Sequence, residues 1–168
     1  MKIVVDIENT VTERNGKLHL DPFEPTNTLV MVGILTDTGE EYQITFDHAD
    51  KEATENGHKI VQDLLDKAGA VICHNSAYDL MWLWESGFKY DGAVFDTMLA
   101  EYVLQRGIKQ SLSLEACAER YELDTKKQDT LKEYFKKGMT TREIPHEELV
   151  SYMSADLHAT QKLANRLM

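Results

Sequence analysis

Cysteine is scarce in this sequence of 168 residues, and long apolar runs are missing. The two cysteines, Cys73 and Cys117, have no spacing typical of a metal site, so we expect two reduced thiols in a cytoplasmic protein. No apolar run approaches the ~20 residues that a membrane-spanning helix needs, and no membrane role is expected. A secretory signal is also missing, because carboxylates interrupt the apolar N-terminus and no small-residue cleavage site follows.

Basic residues are in the minority, with 18 Lys and Arg against 29 Asp and Glu and a net charge of -11. This excludes a protein that simply coats nucleic acid, because neutralising phosphates dominates that kind of affinity. Residues 126–142 are the exception, with six basic and two acidic side chains. This segment, which contains Lys136 and Lys137, is either a solvated helix face or, beside a site, a contact for the phosphates of an incoming strand.

Apolar periodicity divides the chain into strands first, then alternating strands and helices, then helices alone. We expect a single domain, 1–168, with an α/β fold of three layers, α/β/α, around a mixed, mostly five-stranded sheet. The polar stretch 9–28 is interpreted as a surface loop. The predicted strands are 2–7, 29–36, 41–46, 70–73 and 93–95, and the predicted helices are about 58–68, 76–85, 97–105, 113–121, 129–137 and a long one after Pro145.

Two carboxylates interrupt the first predicted strand, within MKIVVDIENT. Side chains alternate along a strand, so Asp6 and Glu8 point to the same face of a segment that is otherwise apolar. Like charges held close together disfavour ionisation, and removing each from water is costly unless something compensates. The pattern therefore predicts a partner for this pair.

Two further acids lie on apolar helical surfaces. On the closing helix, Asp156 falls about 40° from Tyr152, inside the arc of apolar side chains. Asp79 is the only carboxylate in the apolar segment 76–84. For Asp79 the alternative is a capping box that begins at Ser76, and for Asp156 the alternative is a buried ion pair.

Divalent cations are suitable partners for all four acids. Mg²⁺ and Mn²⁺ prefer hard oxygen ligands, and their charge reverses the penalty of clustering carboxylates. Two such ions about 4 Å apart can stabilise the attacking and leaving oxygens of a phosphodiester displacement. Tyr152 lies one helical turn before Asp156 and would face the same site. Its phenol, with an ordinary pKa of about 10, suits the orientation of a water better than general-base catalysis.

The segments that carry these acids, VVDIE, HNSAYD and YMSAD, resemble the three motifs of the DEDDy family of 3'-5' exonucleases. VFDTMLAEYVL and SLSLEACAERY are also similar to parts of that family. The order and spread of the motifs resemble the proofreading domain of family A DNA polymerases, including phage-type ones, and more distantly RNase D. Ser151 stands where the sister group has histidine, which favours the tyrosine branch.

This resemblance extends over the whole chain and implies an RNase H-like fold and a two-metal exonuclease mechanism. Asp6 would bridge two Mg²⁺ or Mn²⁺ ions, Glu8 and Asp156 would complete one ion site, and Asp79 would hold the other, largely through water. Tyr152 and Glu8 would position the nucleophilic water. The same resemblance implies that Thr10, Asn75 and Tyr78 contact the substrate. Lys136 and Lys137 are expected to contact it because they lie in the basic segment.

We therefore expect a metal-dependent 3'-5' exonuclease that acts on the 3' end of single-stranded DNA. No polymerase domain follows Met168, so proofreading would require a separate DNA polymerase as partner. One alternative is an RNase D-like exoribonuclease, because the sequence does not reveal contacts to a 2'-OH. A catalytically inactive polymerase accessory module is another. A dinucleotide-binding module is disfavoured, since no glycine-rich loop follows the first strand.

Overall fold

The computed structural model describes residues 1–123 and 130–168. In those residues the elements follow the predicted order, with boundaries shifted by one or two residues. The strands are β1 (Lys2–Asn9), β2 (Thr12–Arg14), β3 (Lys17–His19), β4 (Leu29–Thr36), β5 (Glu41–Thr45), β6 (Ala70–Cys73) and β7 (Ala93–Asp96). The helices are α1 (Gly57–Lys67), α2 (Ser76–Glu85), α3 (Thr97–Leu104), α4 (Leu114–Arg120), α5 (Thr130–Lys136) and α6 (His146–Leu167). The predicted start of the fifth helix, at residue 129, lies outside the described residues.

The main sheet has five strands in the order β5-β4-β1-β6-β7. Its central strand, β1, runs antiparallel to β4 and parallel to β6, so the sheet is mixed. β4 and β5 form an antiparallel hairpin, and β6 and β7 are parallel. The predicted three-layer α/β fold with a mixed five-stranded sheet is confirmed.

The two faces of the sheet belong to two separate hydrophobic cores. On β1, Ile3, Val5 and Ile7 pack in a core with apolar residues of α1 and α2. Val4, on the opposite face, packs in a core with residues of α5 and α6. Because side chains alternate along β1, its even-numbered positions face α6 and its odd-numbered positions face α2.

The stretch after β1 is not the plain surface loop that the sequence predicts. β2 and β3 pair as a small antiparallel hairpin, Thr12 opposite His19 and Arg14 opposite Lys17. Asn15 and Gly16 form its turn with φ of 54° and 76°, as an Asn-Gly hairpin turn requires. The prediction was wrong because three-residue strands with little buried surface show no apolar alternation, and the Asn-Gly pair was the one available signal.

None of the helices in the described ranges combines the length and the apolar character needed to cross a membrane.

Candidate active site

Three carboxylates meet between the central strand and the last helix. Asp6 and Glu8 lie on the face of β1 that packs toward α6, and Asp156 projects from α6. One oxygen from each of the three carboxylates lies within 4.8 Å of the others. The sequence predicts this grouping, because strand alternation places Asp6 and Glu8 on one face and helical periodicity places Asp156 among apolar side chains.

A glycine allows the last helix to approach the sheet at this point. Gly33 of β4 pairs directly with Asp6 of β1. A Cβ at Gly33 would clash with the Sδ atom of Met153 and lie 2.9 Å from Cδ1 of Leu157, both on α6. The absence of a side chain at this position therefore sets the distance between α6, which carries Asp156, and the strand that carries Asp6.

Asp79 approaches from the opposite layer. It lies on α2, whose apolar residues pack in the core on the other face of the sheet, and it is 4% exposed. The charges of Asp6 and Glu8 act on its carboxyl group, and the buried Cys73 thiol forms a hydrogen bond with it. The capping box proposed as its alternative role is not formed, because Ser76 N donates to the Asp96 carboxylate instead of to Asp79, and Asp79 N donates to the main-chain oxygen of Asn75.

The four acids lack a positive partner within residues 1–123 and 130–168. Burial, followed by the charge of Asp156, raises the pKa of Asp6 from 3.8 to about 8. Burial raises the pKa of Asp156 from 3.8 to about 7. The pKa values of Glu8 and Asp79 are raised well above the ordinary range, first by burial and then by neighbouring carboxylates. An ion pair, the alternative role for Asp156, is not observed in this part of the chain.

The acid cluster fits a divalent cation. Oδ2 of Asp6 is buried, and it accepts no hydrogen bond from the described residues. A buried carboxylate oxygen without a donor is costly, and a bound cation would remove that cost. All the available ligand atoms are carboxylate oxygens, which is the ligand type that Mg²⁺ and Mn²⁺ prefer. The chain can therefore hold a divalent metal ion at Asp6, Glu8 and Asp156.

Tyr152 lies on α6, one turn before Asp156, and is half-buried. Burial, followed by the charges of Asp156 and Glu8, raises the pKa of its hydroxyl further above the ordinary value of 10.0. This hydroxyl keeps its proton near neutral pH, so it can donate a hydrogen bond and cannot act as a base.

Comparison with known proteins identifies the family of this chain. Residues 19–168 match a family model described as 3'-5' exonuclease. This chain belongs to the 3'-5' exonuclease family. DNA polymerase I of Synechocystis sp. is 32% identical in an alignment of 113 residues that covers 64% of this chain and 11% of the polymerase. The chain thus spans about a tenth of the length of that relative, and the predicted resemblance to polymerase exonuclease domains is confirmed.

Solved structures share the fold of this exonuclease. NrnC of Brucella melitensis with bound Mg²⁺ has a TM-score of 0.63 and 22% identity, covering 99% of this chain and 71% of NrnC. NrnC bound to pGG has a TM-score of 0.65 and 23% identity, with the same coverage of both chains. A family B DNA polymerase from Pyrobaculum calidifontis has a TM-score of 0.61 and 17% identity, covering 99% of this chain and 24% of that one. At these identities the likeness shows the fold alone.

Asp96 organises the exonuclease site without belonging to the acid cluster. Its carboxylate accepts hydrogen bonds from Asn75 N at 3.0 Å and from Ser76 N at 2.8 Å, at the start of α2. It also accepts from Met98 N at 2.9 Å, at the start of α3. One side chain thus caps two helices and fixes the end of α2 that precedes Asp79. The sequence marks Asp96 within a family-like segment but does not reveal this double role.

Of three predicted substrate contacts, Tyr78 and Thr10 have protein partners for their side chains. Asn75 has a left-handed backbone, with φ of 75°, at the start of α2. The Tyr78 hydroxyl donates to Oδ1 of Asn9 at 2.7 Å. Thr10 is buried, and its hydroxyl accepts from Thr28 N at 2.7 Å. Their contacts with a substrate stay predictions.

The predicted basic contacts lie at the end of α5. Lys136 and Lys137 are exposed, and Nζ of Lys137 lies 5.8 Å from the ring centre of Tyr134. Arg142 forms an ion pair with Asp47 at 2.8 Å. Lys126 and Lys127, the other end of the predicted basic segment, lie outside the described residues, and contact of the segment with phosphates stays a prediction.

Proposed function

We propose that this exonuclease hydrolyses single-stranded DNA from its 3' end with two divalent ions, Mg²⁺ or Mn²⁺, and acts in proofreading with a DNA polymerase. The observation that carries the proposal is the convergence of Asp6, Glu8 and Asp156 within 4.8 Å without a counter-charge in the described residues. The relation to DNA polymerase I favours DNA as substrate.

Each side chain of the site has a separate role in this proposal. Asp6, Glu8 and Asp156 would hold one ion, and Asp79, together with Asp6, would hold the second. When bound, the ions supply positive charge that stabilises the negative charge developing on the phosphate. The Tyr152 hydroxyl keeps its proton and orients the attacking water, together with the Glu8 carboxylate.

A short RNA is the second candidate substrate. It is favoured by one observation, that NrnC, which shares the fold, has been solved bound to pGG. Direct readout of the sugar requires contacts at the 2'-OH, so a DNA enzyme and an RNA enzyme can share the same metal site.

Matched DNA and RNA oligonucleotides labelled at the 5' end separate these candidates. We expect a ladder of products shortened from the 3' end, formed faster from DNA, in the presence of Mg²⁺ or Mn²⁺. Asp6→Asn and EDTA should each abolish the ladder. Equal or faster degradation of RNA would favour the second candidate, and full activity in EDTA would contradict the metal-dependent mechanism.

The proofreading role is tested on primer-template DNA. We expect a primer with a mispaired 3' end to be shortened faster than a paired one, because a frayed end supplies the single strand. Equal rates on both primers would contradict a proofreading role and would leave the exonuclease chemistry unaffected.

A further inference from the structure

The four acids of the site come from two different layers of the protein. Asp6, Glu8 and Asp156 lie between the sheet and α6, whereas Asp79 lies on α2 in the other layer. A second ion shared by Asp6 and Asp79 requires a fixed distance between β1 and α2. Something in the chain must therefore fix α2 against the end of β1.

Asn9 is the residue at the end of β1 that faces α2. The pairing of β1 with β4 shifts register between Glu8 and Asn9, and irregularities of this kind re-aim side chains beside active sites. Asn9 follows Glu8 directly, and its side chain lies toward the α2 layer, where it meets Tyr78. It is 7% exposed, which is unusual for asparagine unless its polar atoms are paired.

Every polar group of the Asn9 side chain is engaged. Nδ2 donates to the main-chain oxygens of Thr10 at 2.8 Å and Leu20 at 3.3 Å. Oδ1 accepts from the Tyr78 hydroxyl at 2.7 Å. The hydrogen bond from Tyr78 crosses from α2 to β1, and each partner is the chain neighbour of an acid of the site: Asn9 of Glu8, and Tyr78 of Asp79.

A second contact strengthens the same junction. The main-chain oxygen of Leu20, just after the β2–β3 hairpin, accepts from Trp82 Nε1 at 3.1 Å and lies 3.2 Å from the Tyr78 hydroxyl. The stretch after the hairpin is thus held between the end of β1 and two aromatic residues of α2. Aspartate at position 9 would lose the donor for Leu20, and alanine would lose both that donor and the acceptor for Tyr78.

We propose that Asn9 is a positioning residue: through its hydrogen bond with Tyr78 it fixes Asp79 relative to Asp6 and Glu8, and so sets the affinity for the second divalent ion. This inference rests on the proposed function, because it presupposes two ions. It goes beyond that function in giving a metal-positioning role to a residue that is not a ligand.

Titration of the metal-free protein with Mn²⁺, followed by calorimetry and by electron paramagnetic resonance, tests the proposal. The wild type should bind two ions, and Asp79→Asn identifies the one that depends on Asp79. Tyr78→Phe and Asn9→Ala should each lower the affinity for that same ion by about tenfold and leave the affinity for the other ion unchanged. The double variant should bind this ion no more weakly than Asn9→Ala alone, since Tyr78→Phe removes a hydrogen bond that Asn9→Ala already removes.

Asn27→Ala is the matched control. Asn27 is buried and donates to the main-chain oxygens of His19 at 2.9 Å and Asp21 at 3.0 Å, so its loss loosens the hairpin region without touching Tyr78. Unchanged binding of both ions is expected. If Asn27→Ala weakened the second ion as much as Tyr78→Phe, the hairpin and not the Asn9–Tyr78 bond would set the affinity, and the proposal would be wrong.

The remaining outcomes are equally decisive. Wild-type affinity for both ions in Tyr78→Phe would overturn the role of Asn9, whether or not Asn9→Ala folds. A wild type that binds no Mn²⁺ would instead refute the metal site of the proposed function, and this inference with it.

Discussion

Two buried acids, Glu101 and Asp79, lie in helices of similar apolar composition but have opposite surroundings. Glu101 is 2% exposed, and its oxygens accept from Arg120 Nη1 at 2.7 Å and from the Tyr121 hydroxyl at 2.5 Å. Asp79 is 4% exposed and faces other carboxylates. A buried acid with a counter-charge holds the fold together, whereas one without it makes the folded state depend on protons or cations. The comparison separates an acid with a structural ion pair from an acid that we propose to bind a metal ion.

Asp6→Asn should produce the largest effect. We expect kcat/KM on a single-stranded oligonucleotide to fall by about 1,000-fold or more, because the residue proposed to contact both ions is lost. In EDTA at about pH 8, the Tm of this variant should be above that of the wild type, since an amide removes a buried charge. Kinetics and calorimetry measure the two changes, and a Tm below wild type would place Asp6 with the structural acids.

Glu101→Gln should show the reverse pattern. Removing its charge leaves Arg120 without its partner, so we expect the free energy of unfolding to fall by about 3 kcal/mol. Activity below the Tm should change little, because Glu101 pairs with α4 and not with the acid cluster. Urea denaturation and the same oligonucleotide assay test this, and a large loss of activity in the folded variant would erase the distinction between the two kinds of acid.

Gly33→Ala tests how closely α6 must approach the sheet. The added Cβ meets Met153 and Leu157, so we expect a loss of about 2 kcal/mol in stability and weaker Mn²⁺ binding as α6 moves away with Asp156. Gly69→Ala is the control, because a Cβ there has its nearest neighbour, Met1 O, at an ordinary 3.5 Å. Wild-type Mn²⁺ affinity in Gly33→Ala would show that the spacing of α6 does not control the site.

The pH dependence of stability should give the smallest effect. The pKa of Asp6 is raised in the folded state from 3.8 to about 8, so the folded protein holds a proton that the unfolded chain releases. The stabilising contribution of this group to the folded state is therefore complete below about pH 4 and is lost as the pH rises toward 8. We expect Tm in EDTA to fall over this range, less steeply in Asp6→Asn, and Mg²⁺ to restore it most at the higher pH. A Tm in EDTA that rises between pH 4 and 8 would contradict the raised pKa of Asp6 in the folded state.

The strand and helix periods locate most of the fold and the three acids that converge in the structure, Asp6, Glu8 and Asp156. Alternation places Asp6 and Glu8 on one face of β1, and the helical period places Asp156 among buried residues. The same reasoning does not separate Asp79 from Glu101, because each is the acid of an apolar helical segment. The difference lies in Arg120, 19 residues after Glu101, and such a partner becomes visible only in three dimensions.

Long-range hydrogen bonds are the other features that the sequence does not reveal. Asp96 caps a helix that begins 20 residues earlier, and Tyr78 reaches Asn9 across 69 residues. Arg142 belongs to the predicted basic segment, yet it pairs with Asp47, 95 residues away. Local patterns carry no information on these partners, because each one is selected by the packing of separate elements.

The most direct test of the account is a crystal grown with Mn²⁺ and measured at a wavelength where manganese scatters anomalously. The account predicts two anomalous peaks, one among Asp6, Glu8 and Asp156 and one between Asp6 and Asp79. A map without a peak at these carboxylates, or with a lysine or arginine side chain in their midst, would contradict it.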